Sequence, residues 1–111
     1  MWKKIFKHLK AKGLEVQAPG MKKGPYKDSF VVLKHGGEAS HAGTSHSRGY
    51  FDLFVYIPFQ RYSTLEEYRK KVVDAMKELT DIRKTGTETP VIYEEDPSCY
   101  TFSIEYILMK A

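Results

Sequence analysis

Cysteine is almost missing from the sequence: Cys99 is the only one. A single thiol excludes an internal disulfide, which fits a reducing compartment. No apolar run approaches the roughly 20 residues needed to cross a bilayer. The apolar residues near the start are interrupted by lysines, so no secretory signal is expected there. The short motifs of catalysis are missing too. No Gly-x-Ser-x-Gly elbow presents a serine, and Gly36-Gly37 is followed by no Gly-Lys-Ser/Thr, so it is not a phosphate loop. Cys99 follows an acidic turn and has no basic sequence neighbour to lower its pKa. The sequence makes no case for an enzyme. No catalytic residue, metal ligand or cofactor is expected.

What remains is an ordinary globule with an uneven charge. At 111 residues the chain suits one domain, 1–111, with a single core. Hydrophobic residues at 41% and charged residues at 29% exclude disordered and membrane classes. Eight tyrosines suit half-buried sheet faces and interfaces. The formal net charge is +4, but residues 1–27 hold eight lysines against Glu15, a net +7. The remainder holds ten basic and thirteen acidic residues, a net −3. Such a sided particle offers anionic or acidic partners one preferred end.

The chain is organised around residues 50–79. In Tyr50-Phe51-Asp52-Leu53-Phe54-Val55-Tyr56-Ile57, Phe51, Leu53, Val55 and Ile57 share one face and Tyr50, Asp52, Phe54 and Tyr56 the other. That alternation predicts a strand with one dry and one mixed face, ended by Pro58. Ser63-Thr64-Leu65-Glu66 then reads as a capping box. Leu65, Tyr68, Val72, Met76 and Leu79 follow at helical spacing with charges around them. Before this unit, Trp2, Ile5, Phe6 and Leu9 form a helical stripe ended by Gly13. Leu14–Gln17 suits a brief strand, 18–27 a loop and Phe30–Lys34 a short buried strand. Residues 35–49 hold four glycines, three histidines and almost nothing to bury, which predicts a mobile loop. Residues 80–90 read as a polar connection, 91–93 as the start of a strand, Glu94–Ser98 as an acidic turn and Cys99–Lys110 as a closing strand. The fold class expected is α+β: a mainly antiparallel or mixed sheet of four or five strands with two helices on one side.

Several constellations invite a functional reading. His35, His41 and His46 are potential metal ligands, but their spacing fits no helix or strand site and glycine-rich chain holds ligands poorly. Lys3, Lys4, Lys7 and Lys10 make a basic surface on an amphipathic helix, suited to a nucleic-acid backbone or an anionic membrane. The alternative is that the stripe covers the sheet while the lysines are solvated. Tyr50, Phe54 and Tyr56 on the mixed face, with Glu94, Glu95 and Asp96 at the acidic turn, are candidates for a protein interface. His41, His46 and Arg48 are candidates for a contact loop that orders on binding.

The succession of Pro25-Tyr26, Phe30–Lys34, Tyr50–Pro58, Tyr62–Glu66 entering a helix, Thr85-Gly86 and a hairpin ending Ile104-Glu105-Tyr106 resembles the tail terminator, or tail-completion, family of tailed-phage necks. Related head-tail joining proteins share this size and texture. The resemblance implies a structural virion assembly protein of a phage or prophage. Such proteins form a ring, commonly a hexamer, that caps the tail tube protein and meets the head-tail connector protein. DNA passes through the ring without sequence-specific contacts, and no membrane is involved. The expected location is the host cytoplasm during assembly, then the virion neck. The alternative is a small basic binding module for nucleic acid or anionic membrane.

Overall fold

The computed structural model describes residues 2–20, 28–40, 47–95 and 98–108, with backbone alone for 35–40 and 47–48. The order is α1 (Trp2–Ala11), β1 (Val16–Gln17), β2 (Phe30–Ser40), β3 (Ser47–Pro58), a 3-10 turn (Phe59–Thr64), α2 (Leu65–Lys77), β4 (Ile82–Glu88), β5 (Ile92–Glu95) and β6 (Ser98–Leu108). The fold is α+β, as the patterning predicts. Its sheet has six strands in the order β1-β2-β3-β6-β4, and β5 also pairs with β6. The β1–β2 pairing is parallel and every other pairing is antiparallel, so the sheet is mixed.

The alternation in β3 decides the layering. Leu53, Val55 and Ile57 are completely buried and Phe51 nearly so, whereas Tyr50, Asp52, Phe54 and Tyr56 are half-exposed. Both helices lie over the dry face. Ile5 and Leu9 of α1 and Leu65, Val72, Ala75 and Met76 of α2 join Val31, Leu33, Phe102, Ile104 and Tyr106 in one core. Gly13, at φ +83°, lets α1 end in a Schellman motif: Leu14 N–H donates to Leu9 O and Gly13 N–H to Lys10 O. Trp2 Nε1 donates to Leu33 O at 2.9 Å, and His8 Nε2 donates to Ala75 O at 2.8 Å in the last turn of α2. Lys4–Asp81 and Lys12–Glu78 pairs, at 3.3 and 2.7 Å, tie α1 to the chain just beyond α2. The apolar stripe of α1 is thus used inside the protein.

Three expectations need correction. Within the stretch 35–49, expected as a loop, residues 35–40 and 47–49 continue the ladder, with Glu38 paired to Gly49, Ala39 to Arg48 and Ser40 to Ser47, while 41–46 lie outside the described residues. Backbone hydrogen bonds make such a two-stranded ribbon without any apolar alternation to announce it. Residues 80–90, expected as a connection, contain β4, an edge strand in which Ile82 is the one buried residue. Residues 63–66 make no capping box. Thr64 holds the N-cap position without a side-chain cap bond and donates its hydroxyl to Arg61 O at 2.7 Å. The 3-10 turn replaces the box, because Leu65 N–H already has Tyr62 O as acceptor.

Candidate functional site

The face away from the helices is built from direct cross-strand partners. Phe30 opposes Tyr56, Val32 opposes Phe54 and Lys34 opposes Asp52. On the other side of β3, Tyr56 opposes Thr101, Phe54 opposes Ser103 and Asp52 opposes Glu105. The Phe30 and Tyr56 rings stack at 4.9 Å and 9°. Phe54 and Tyr56 form a ridge between two shallow hollows. One, of about 340 Å³, is bounded by Pro19, Gly20, Phe30, Val32 and Lys34. The other, of about 380 Å³, is bounded by Pro90, Ile92, Glu94 and Thr101. The structure therefore brings Phe54, Tyr56 and Glu94 to one surface, while Tyr50 lies further along the same face. The Asp52 and Glu105 carboxylates sit side by side. Burial first, and Glu105 second, push the Asp52 carboxyl above its usual range, with Lys34 opposing. Thr85 Oγ1 donates to Glu105 Oε1 at 2.8 Å.

A second surface was not legible in the sequence. β4 and β5 occupy successive halves of the same side of β6, joined by Thr89, whose N–H donates to Ser103 O. They form one interrupted edge, with a register shift between Lys84 and Glu88 around Gly86 at φ +93°. At the β5 end, Phe59, Tyr62, Tyr93 and Tyr100 cluster. Tyr62 and Tyr100 are 4.4 Å apart, Tyr93 and Tyr100 5.3 Å, and Phe59 and Tyr93 5.9 Å. Phe59 is 55% exposed, Tyr62 56% and Tyr93 46%, so these rings make a patch rather than scattered singles, while exposed Ile92 lies on the other face of β5, at the hollow beside Phe54 and Tyr56. The one signal in the sequence was Phe59-Gln60-Arg61-Tyr62, two aromatics between a strand and a helix with no periodic face to bury them on.

The remaining candidates scatter. Glu94 and Glu95 are exposed on β5, and Asp96 lies outside the described residues. Lys3, Lys7 and Lys10 share the outer side of α1, and Lys10 Nζ sits 4.7 Å from the Phe6 ring. Lys4 is the paired one. His41 and His46 are outside the described residues, and Arg48 is described by its backbone in β3. Among the described residues no group of three His, Cys, Asp or Glu is placed to hold a metal ion. No helix among them is long and apolar enough to cross a membrane. Cys99 is fully buried, and burial, then Glu94, push its thiol up, away from the reactive form. Glu88 joins Arg69 at 2.9 Å and Lys84 at 3.2 Å. Burial alone would raise its carboxyl, but these two cations hold it below its usual range. Arg69 also lies over the Phe102 ring at 5.1 Å.

No family model and no curated protein matches this chain. One solved structure, whose name carries no functional word, is similar over 96% of this chain and 87% of its own, with 15% identity and a TM-score of 0.46. At that level the likeness carries no argument about function.

Proposed function

We propose that this chain is a structural assembly protein of a tailed-phage or prophage neck, a ring-forming tail terminator that works by contact rather than catalysis. The observation that carries the reading is the exposed aromatic end beside β5, together with the open tyrosine-bearing sheet face. Large apolar side chains left in water at one end of a small domain mark a surface that another molecule covers. A ring needs two different patches on each copy, and the β5 end supplies one of them. The order of elements, two helices over one face of a mixed sheet, agrees with the α+β class expected from the residue patterning. The partners proposed are further copies of the chain, the tail tube protein and the connector protein. The basic-module alternative has less support, because Trp2, Phe6, Ile5 and Leu9 pack against the body of the protein.

The test is to add purified protein to growing tail tubes and view them by electron microscopy. Tubes of defined length with a ring at one end are the expected result. Tubes that lengthen as freely with the protein as without it sink the proposal.

A further inference from the structure

The two ends of the charge distribution sit at opposite edges of the sheet. α1 packs over β1 and β2, while β5 lies on the far side of β6. About four strand spacings separate those edges, roughly 19 Å. That exceeds the Debye length of about 8 Å at physiological salt, so within one copy the two charges barely attract. At the α1 edge, Lys3 and Lys7 have no acidic partner among the described residues, and Lys10 rests on Phe6 in line with them. At the β5 edge, exposed Glu95 shares the face of Tyr93, exposed Glu94 turns to the other face beside Phe54 and Tyr56, and Glu66 and Glu67 open the helix that follows Phe59–Thr64.

The edges also differ in backbone. On β2, Val31 N–H is taken by Glu15 O at 2.9 Å, and Trp2 Nε1 takes Leu33 O. That side is closed as far as Leu33. Among the described residues β5 pairs with β6 alone, so every second backbone amide points outward from a strand whose residues are all exposed. An open edge flanked by Val91, Ile92 and Tyr93 is a hazard unless something covers it.

We propose that the occupant is a second copy of this chain: the Lys3/Lys7/Lys10 side of α1 on one copy docks against the β5 edge, Glu94, Glu95 and the Tyr93/Phe59 patch of the next. Apolar contact supplies adhesion and the opposite charges set register and orientation. The contact is heterologous, so each copy gives one face and receives the other, which is the geometry of a ring. The inference rests on the proposed ring-forming role and names the surfaces that would build it.

Charge reversal tests it, with sedimentation and native mass as readouts and circular dichroism to confirm folding. Wild type should associate with a steep loss at high salt. Lys3→Glu/Lys7→Glu/Lys10→Glu and Glu94→Lys/Glu95→Lys should each associate at least tenfold more weakly alone. Mixed together they should associate again, because an alternating assembly restores attraction at both contacts. Tyr93→Ser should weaken association at every salt concentration. A wild type that stays a single chain at the highest attainable concentration overturns the contact. So does either reversal behaving as wild type, or a mixture that fails to recover. Loss of DNA or vesicle binding in the lysine variant, with self-association untouched, also overturns it. The two proposals fail separately. If mixing rescues association while tubes grow unchecked, the contact stands and the neck role falls. If both reversed variants still cap tubes, the neck role stands and the contact falls.

Discussion

Trp2 is the residue on which the docking of α1 turns, and its loss can be costed. The indole stacks on Phe6 at 4.9 Å and donates to Leu33 O at 2.9 Å, so it joins α1 to the sheet edge through both packing and a hydrogen bond. Trp2→Phe keeps a ring beside Phe6 and removes only the donor. The net loss for one such bond is about 1 kcal/mol. The bond is only part-buried, so the cost stays near that figure and below the ~3 kcal/mol of a fully buried orphan. Trp2→Ala also loses the ring. Full burial would make that about 3–5 kcal/mol, and half-burial brings the packing loss to ~2 kcal/mol. With the bond included, the alanine variant should lose about 3 kcal/mol. Urea unfolding at fixed protein concentration, followed by circular dichroism, measures both. With a slope of about 2 kcal/mol per molar, Trp2→Phe should lower the midpoint by ~0.5 M and Trp2→Ala by ~1.5 M. Trp2 is the sole tryptophan, so wild-type fluorescence reports α1 directly and should change at the same midpoint as the dichroism. A Trp2→Phe midpoint equal to wild type, or a fluorescence transition well before the loss of secondary structure, refutes this account.

Asp52→Asn should stabilise the protein at neutral pH by about 0.2–1 kcal/mol, the scale of one unfavourable cross-strand pair. Because the folded Asp52 carboxyl holds its proton more tightly than the unfolded one, its favourable contribution is complete below the unfolded value of about 4 and is lost as pH rises through the folded value. Urea midpoints of the two proteins should therefore converge in acid, and a gap unchanged between pH 7 and pH 4 refutes the cause. Glu88→Gln has the opposite sign. The folded carboxyl is depressed, so its contribution is present above the unfolded value of about 4.3 and lost as pH falls through the folded one. The cost at pH 7 should be under ~1 kcal/mol, since Arg69 and Lys84 are partly in water, and it should vanish in acid; thermal melts across pH decide. Gly86→Ala should cost about 1 kcal/mol by urea titration, from the positive φ alone, since a Cβ there meets nothing within 4 Å; an unchanged midpoint would show that the bulge relaxes.

The sequence was legible where burial is periodic and silent where it is not. β3, β6 and α2 each bury one face of a regular element, so residues such as Leu53, Ile104 and Val72 announce both the element and its orientation. β4 buries only Ile82 at its start, and the rest is an edge strand wet on both sides. The outer ribbon of β2 and β3 is held by main-chain bonds, about which side chains carry no pattern. The interface candidates divide the same way. Phe54 and Tyr56 sit on a predicted strand, so their shared face with Glu94 was open to inference. Phe59, Tyr62, Tyr93 and Tyr100 come from a turn and two strands whose meeting depends on β5 returning along β6, a tertiary fact no local period encodes.

The open β5 edge has a second conceivable occupant, its own counterpart on another copy, and the charges speak against it. Antiparallel pairing of two β5 edges would satisfy both rows of amides and set Tyr93 opposite Glu94 and Ile92 opposite Glu95, but it would bring Glu94 of one copy diagonally beside Glu95 of the other. Two such diagonal pairs of like charge oppose the closed pairing, so the glutamates steer the edge toward a basic surface instead. Glu94→Gln with Glu95→Gln removes both the repulsion and the attraction to lysine. That variant should therefore change product rather than merely lose affinity, giving a two-copy species insensitive to salt in place of a salt-sensitive larger assembly. Native mass at low and high salt distinguishes these. A two-copy wild type that the substitution leaves unaltered would show that the glutamates do not select the partner.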